Sequence, residues 1–265
     1  MKNLLIGLLL ITTVISCKQE TTSEKKTQIK EETILDRSND FPKDIAAVFN
    51  AHGGIKAFDQ MNTLIFEMVK PEGNEKHTID LKTRHARIET DQFILGFDGE
   101  EAWLEQDSTY FNGNPRFYHN LMFYFYAMPF VLGDDGISYE KVEDLKVENS
   151  SYLGYKVSYD DGVGDSPKDN YFLYYDKVSG KMKYLAYTVT FFSKEESKKI
   201  SLIEYADWEN IDGLLFPKTL KWREYKDGVV GEIKGERNFV NASVSKEKPL
   251  PSLFQKTVLE KDKTI

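Results

Sequence analysis

The chain has 265 residues, with 35 Lys and Arg against 43 Asp and Glu, a formal charge of −8 with histidine neutral. That acidic balance holds no basic cluster fit to neutralise phosphates, which excludes nucleic-acid binding. Cys17 is the single cysteine, so no intrachain disulfide is possible.

The N-terminus reads as an export signal. A short basic start, Met1-Lys2-Asn3, precedes "LLIGLLLITTV" from Leu4 to Val14, an apolar and small-residue run. It is too short for a bilayer span, which needs roughly 20 apolar residues, and it has the layout of a secretory leader. Val14-Ile15-Ser16-Cys17 resembles a bacterial lipobox. The resemblance implies a signal peptide over residues 1–16, acylation of the Cys17 thiol by palmitate-type chains, and acylation of the new amino terminus. The alternative is an ordinary leader with an incidental cysteine. Two or three acyl chains anchor stably where one does not, at roughly 0.8 kcal/mol per buried methylene. Loss of Lys2 leaves 34 basic against 43 acidic residues, a balance of −9.

Residues 17–40, including "KQETTSEKKTQIKEETILDRSND", are charged and polar and form the expected flexible tether, having too little apolar surface to order themselves. "KQE" partly resembles the surface-export signals of Bacteroidetes lipoproteins, with Glu20 its one acidic residue. The expected partner is therefore a membrane, reached through acylated Cys17. The expected location is the outer membrane, with periplasmic and surface faces both open.

Residues 41–245 amount to one domain, with a tail over 246–265. Ile45, Val48, Phe49 and Ile55 fall near helical spacing, and "HGG" at 52–54 is a helix stop. Most of the remaining domain alternates as strand: "TLIFEMV", "HTIDLK", "RHARIET" and "QFILGF", then "NYFLYYDKVSGKMKYLAYTVTFF", "SLIEYADWENIDGLLFPKTLKWREY" and "VVGEIKGERNFV". Asp98-Gly99, Asp212-Gly213 and Asp227-Gly228 mark turns between them. The expected fold is mainly β (α+β): about ten to twelve strands in a large curled antiparallel sheet, a half-barrel wrapping one or two helices.

In the middle lies "NPRFYHNLMFYFYAMPFVLGDD". Seven of the fourteen residues from Phe117 to Phe130 are aromatic. Asn114-Pro115 is a fitting helix start, and Pro129 stops or kinks the segment. The helix expected over 117–128 is about 18 Å long, at about 1.5 Å per residue. It is apolar on all sides, as a buried helix is. It serves as core, as the wall or lid of an apolar cavity, or as a docking face. The hydroxyls of Tyr118, Tyr124 and Tyr126 favour an edge or cavity wall, since each needs a partner.

"AHGG", "GFDGEEAW", "GNPRFYHNLMFYFYAMPFVL" and "GVGDSP" resemble a family of uncharacterised Bacteroidetes lipoproteins over residues 50–225. The order of helix, meander and inserted apolar helix is similar in architecture to the lipoprotein-localisation carriers and receptors. That similarity implies a sheet around an acyl-chain cavity and leaves function to the site itself.

The chemistry-bearing residues are sparse. His52, His77, His85 and His119 include no i, i+4 pair of the kind that binds zinc on a helix. Asp160, Asp161, Asp165 and Asp169 share one glycine-containing loop that lacks EF-hand spacing. No nucleotide fingerprint or serine-hydrolase elbow is present. No metal or cofactor is expected.

The function expected is binding of an apolar or amphipathic ligand, a lipid or acyl chain, without catalysis. Phe117, Tyr118, Phe123, Phe125, Met128 and Phe130 are expected to line the cavity, with Arg116 and His119 near the ligand headgroup. His119 has a helix-capping role as its alternative. An envelope enzyme using the loop of Asp160 to Asp169 is a second reading, and a ligand-free structural or interaction lipoprotein is a third. Oligomeric state is left open.

Overall fold

Two-residue alternation of apolar side chains builds twelve strands, and the order of those strands explains the aromatic segment. The computed structural model describes residues 36–160, 168–193, 195 and 197–257. The leader, Cys17, most of the tether, and Asp161 and Asp165 lie outside the described residues.

Two helices come first, α1 (Lys43–Ala51) and α2 (Ile55–Asp59). Then come β1 (Thr63–Met68), β2 (Glu75–Asp80), β3 (Ala86–Glu89), β4 (Phe93–Phe97) and β5 (Ala102–Gln106). Beyond the aromatic segment lie β6 (Ile137–Val147), β7 (Ser150–Tyr159), β8 (Tyr171–Tyr175) and β9 (Met182–Tyr187). The last three are β10 (Ser201–Ile211), β11 (Leu214–Lys226) and β12 (Val229–Ser245). They form one antiparallel sheet in the order β5-β4-β3-β2-β1-β12-β11-β10-β9-β8-β7-β6. Beginning and end are joined because β12 pairs β11 through Val229 to Asn238 and β1 through Phe239 to Ser245. The sheet is curled and unclosed, as the sequence implies.

Strands β5 and β6 are consecutive in the chain yet occupy opposite edges of the sheet. The connection between them must cross the sheet, and it carries the aromatic residues. It folds as two short helices, α3 (Pro115–Tyr118) and α4 (Leu121–Tyr126), then a 3-10 turn over Phe130–Gly133. The single helix expected over 117–128 is thus broken. Asn120 has non-helical backbone angles, φ −121° and ψ −2°, and the His119 ring closes α3 by bonding the Arg116 carbonyl through Nδ1 at 2.7 Å. At the other end of α3 the Asn114 side chain accepts from the Phe117 amide at 3.2 Å, the cap read from the sequence.

The hairpins close where Asp-Gly pairs predict. Asp212 and Gly213 both have positive φ, at 50° and 89°, as do Asp227 and Gly228, at 52° and 80°. Two positive φ values match the twist of the flanking strands. Helix α1 buries Ile45, Val48 and Phe49 and stops at His52. Gly53 then passes so close to the β10–β11 turn that a Cβ there would lie 2.2 Å from the Gly213 carbonyl oxygen.

The helices and the face they cover share one core. Tyr126 is its hub, stacked on Phe66 at 4.2 Å and on Phe216 at 5.3 Å, while Phe130 stacks on Phe58 at 4.6 Å. Each such ring contributes about 1.5–3 kcal/mol by leaving water. On the opposite face the tail returns: the Trp103 indole donates to the Phe254 carbonyl at 2.8 Å and buries Phe254.

Candidate functional site: a tyrosine-walled cavity

Helix α4 is too short to cover β7 to β9, and the uncovered space is a cavity. Met122, Phe123, Phe125 and Tyr126 belong to the core, and Phe125 also lines the cavity, beside the partly buried Leu121 and Tyr124. The facing wall comes from the sheet. Tyr171 and Tyr187 are directly paired across β8 and β9, with rings 6.4 Å apart, and Tyr159 at the end of β7 packs edge-on to Tyr171 at 5.7 Å. The cavity is about 160 Å³ in volume and opens to solvent, smaller than the roughly 300–1,000 Å³ of drug-sized ligand sites.

The mouth is apolar and partly solvent-exposed. Phe117 packs between Phe191 and Phe192 at 5.1 and 4.9 Å, and Phe192 is 68% exposed. Behind it, the Asn170 amide donates to Thr188 Oγ1 at 2.9 Å, and the Asp169 carboxylate accepts from the Thr190 amide at 2.6 Å. These bonds stitch the segment after β9 to the segment before β8.

Three charged side chains, Arg116, Asp134 and Asp169, are among the lining. The Arg116 guanidinium lies 4.5 Å from the Phe97 ring centre, a cation–π geometry. Burial raises Asp134 above its ordinary value against the pull of Arg84, which donates to it at 2.5 Å. Burial also raises the phenols of Tyr159, Tyr171 and Tyr187, so they stay neutral hydroxyls near pH 7. One of them is spoken for: Tyr187 accepts from Trp222 Nε1 at 3.0 Å.

The residues expected from sequence separate into three places. Arg116, Phe117 and Phe125 come together at the cavity. Phe123, Met128 and Phe130 are buried in the core; the Phe123 ring lies 5.2 Å from the Arg84 guanidinium, and Phe130, beyond α4, packs on Phe58 of α2 and Phe216 of β11. Tyr118 and His119 face β2 to β5: His119 packs on Phe97 at 4.4 Å, and Tyr118 joins a buried polar network. Tyr124 also lines the cavity, whereas Tyr126, expected like it at an edge or cavity wall, is buried in the core; Leu121, Tyr159, Tyr171 and Tyr187 were not anticipated as lining residues. The signal for the last two was available, because "YFLYY" and "YLAY" are adjacent hairpin strands.

That network centres on Glu75, which is fully buried. Its carboxylate accepts from Lys70 Nζ at 2.5 Å, Tyr118 Oη at 2.8 Å and His77 Nε2 at 2.9 Å. Burial pushes its pKa up, but the His77 and Lys70 hydrogen bonds and charges outweigh that and hold it down at about 2. His77 stacks on Phe66 at 4.6 Å, which fixes the imidazole. Glu75 and His77 sit two apart on one strand face, a pairing that strand periodicity makes visible in the sequence.

Among the described residues no group of three or more His, Cys, Asp or Glu side chains is placed to hold a metal ion. None of their helices is long and apolar enough to cross a membrane.

Comparison with curated proteins finds no match. Among solved structures, the chain is similar to a LolA superfamily protein from Nitrosomonas europaea, at 9% identity over 79% of this chain and 96% of that one, with a TM-score of 0.43. It is also similar to a domain described as an outer membrane lipoprotein-sorting protein from Vibrio parahaemolyticus, at 7% identity over 73% of this chain and 88% of that one, with a TM-score of 0.33. Residues 98–202, which hold the aromatic segment and most of the tyrosine wall, match a family of unknown function (DUF6503).

Proposed function

We propose that the protein binds an apolar or amphipathic molecule, a lipid or acyl chain, in the tyrosine-walled cavity, and does so without catalysis. The observation that carries this is the cavity itself: Leu121, Phe125 and Phe117 face Tyr159, Tyr171 and Tyr187 across an open space with an apolar mouth. Each methylene of an alkyl chain buried there contributes roughly 0.8 kcal/mol of gross transfer free energy. Ordering and association costs offset part of it. Neutral phenols suit such a wall, because their rings present apolar faces to an alkyl chain and they carry no charge. Release requires α4 to move away from β8 and β9.

The lipobox-like sequence at Cys17 supports a membrane setting for this cavity. In that arrangement the acylated cysteine anchors the chain to the outer membrane and the segment after it lets the domain reach its ligand. The test is a titration of the full chain with a fluorescent fatty acid, beside Leu121→Trp, which fills the cavity from a partly exposed position. Saturable binding with one site, weakened at least about tenfold by the filled cavity, supports the proposal. Unsaturable uptake, or equal uptake by both proteins, contradicts it.

A further inference from the structure

A second hollow adjoins the first. Leu121 lines both. Trp222, which lines the second, donates to the Tyr187 hydroxyl of the first at 3.0 Å and packs edge-on to Phe125 at 6.1 Å. The second hollow lies between α3 and α4 on one side and β1, β11 and β12 on the other, with Met68 and Met122 adding apolar surface.

Its charged lining is of one sign. Lys70, Lys234 and Arg237 are present and no carboxylate is among the lining side chains, in a chain whose net charge is −8. The three cations are not equivalent. Lys70 is held by buried Glu75, which neutralises it. Lys234 meets Glu224 only at 3.5 Å, with both side chains more than half exposed, a pairing of little strength in water. Arg237 spends one guanidinium nitrogen on the Glu236 carbonyl at 2.7 Å and has no carboxylate partner among the described residues. It stands opposite Leu220 in the β11–β12 ladder, on the sheet face that packs under the helices.

The floor is left open by a glycine. Gly235 pairs with Trp222, and a Cβ built there meets no atom within 4 Å. Neither a positive φ nor a close backbone approach calls for glycine at this position, so its effect is to leave room over the Trp222 ring between two basic side chains.

We infer that this hollow receives the anionic head, carboxylate or phosphate, of the same amphiphile whose tail occupies the tyrosine cavity, with Lys234 and Arg237 as the recognition pair. The inference rests on the proposed binding function and adds to it the charge class of the ligand. A guanidinium offers two parallel donors to either anion, and charge-assisted hydrogen bonds are about twice as strong as neutral ones.

The test is calorimetry on the full chain with decyl phosphate, decanol and inorganic phosphate. Wild type is expected to bind decyl phosphate at least about tenfold more tightly than decanol, the ratio that one charge-assisted hydrogen bond supplies. The double variant Lys234→Glu/Arg237→Glu should lose that preference while its decanol affinity stays the same. Gly235→Leu, which fills the hollow without touching a charge, should lower the affinity for decyl phosphate to that for decanol, so the test survives misfolding of the charge-reversed protein. Equal affinity of wild type for both decyl compounds overturns the headgroup assignment and leaves the cavity standing. Inorganic phosphate binding as tightly as decyl phosphate also overturns it, since the anion would then bind without a tail. Binding of neither decyl compound removes the proposed function and this inference with it.

Discussion

The Tyr205 phenol donates to the Phe125 carbonyl at 2.8 Å, joining β10 to α4 across 80 residues of sequence. Tyr205 is fully buried and stacks on Trp208 at 5.7 Å, which in turn meets the His52 ring at 4.5 Å. One line of rings therefore ties the cavity wall to the end of α1. Replacing Tyr205 by Phe leaves the Phe125 carbonyl without this donor. The expected cost is about 1–3 kcal/mol, read by urea denaturation. Weaker fatty-acid binding should accompany it, because Phe125 lines the cavity. A variant as stable as wild type would show that the bond holds nothing.

His52 should give the protein a pH dependence above the carboxylate range. Its Nδ1 donates to the Val48 carbonyl at 2.8 Å, and its Nε2 has no partner among the described residues. Burial lowers its pKa from 6.5 to about 4 against the Val48 bond. A proton therefore binds the unfolded chain first as pH falls. Stability is complete above pH 6.5 and declines toward pH 4 by roughly 3 kcal/mol. His52→Phe should flatten that window in denaturation curves taken from pH 7 to 4, and an unchanged slope would contradict the assignment.

Glu75 acts in a lower window. Its carboxylate is depressed from 4.5 to about 2, so the stability it supplies is present above pH 4.5 and is lost as pH falls toward 2. At neutral pH, Glu75→Ala strands Lys70 and His77 without their acceptor. The expected loss is about 3–5 kcal/mol, the usual result of removing one side of a buried pair. Thermal unfolding at pH 7 checks this, and a loss under about 1 kcal/mol would mean that water replaces the carboxylate.

Gly53 and Gly213 should differ sharply although both have positive φ, at 108° and 89°. Alanine at Gly213 meets open space, and alanine at Gly53 meets the Gly213 carbonyl. Gly213→Ala should cost about 1–2 kcal/mol from backbone conformation alone, and Gly53→Ala clearly more, since the α1 end must also back away from the β10–β11 turn. Equal costs in chemical denaturation would show that this contact is loose.

The sheet was readable because its signals are local. Asp212-Gly213 and Asp227-Gly228 specify turns, and alternation in "ARIE" and "TLIFEM" assigns faces within a few residues. The pairing of β12 with both β11 and β1 was not readable, because it depends on partners far apart in sequence. The same limit applies to the aromatic segment: Phe123 and Phe125 look alike in sequence and both are buried in the core, and only the placement of β8 and β9 gives Phe125 a cavity to border. Seven aromatics at the middle of the chain marked the site, but half of its lining, including Tyr159, Tyr171 and Tyr187, comes from later in the chain. Glu75 was overlooked because a lone glutamate reads as surface until His77, Lys70 and Tyr118 are seen to meet it.

Solvent extraction of the purified full chain, with mass spectrometry of the extract beside Leu121→Trp, tests ligand binding most directly. Wild type should yield an amphiphile close to one per protein, and the folded variant should yield far less. A wild-type extract with no lipid, from a protein that also fails to take up added fatty acid, would make the tyrosine-walled space a packing defect and the bound-ligand account wrong.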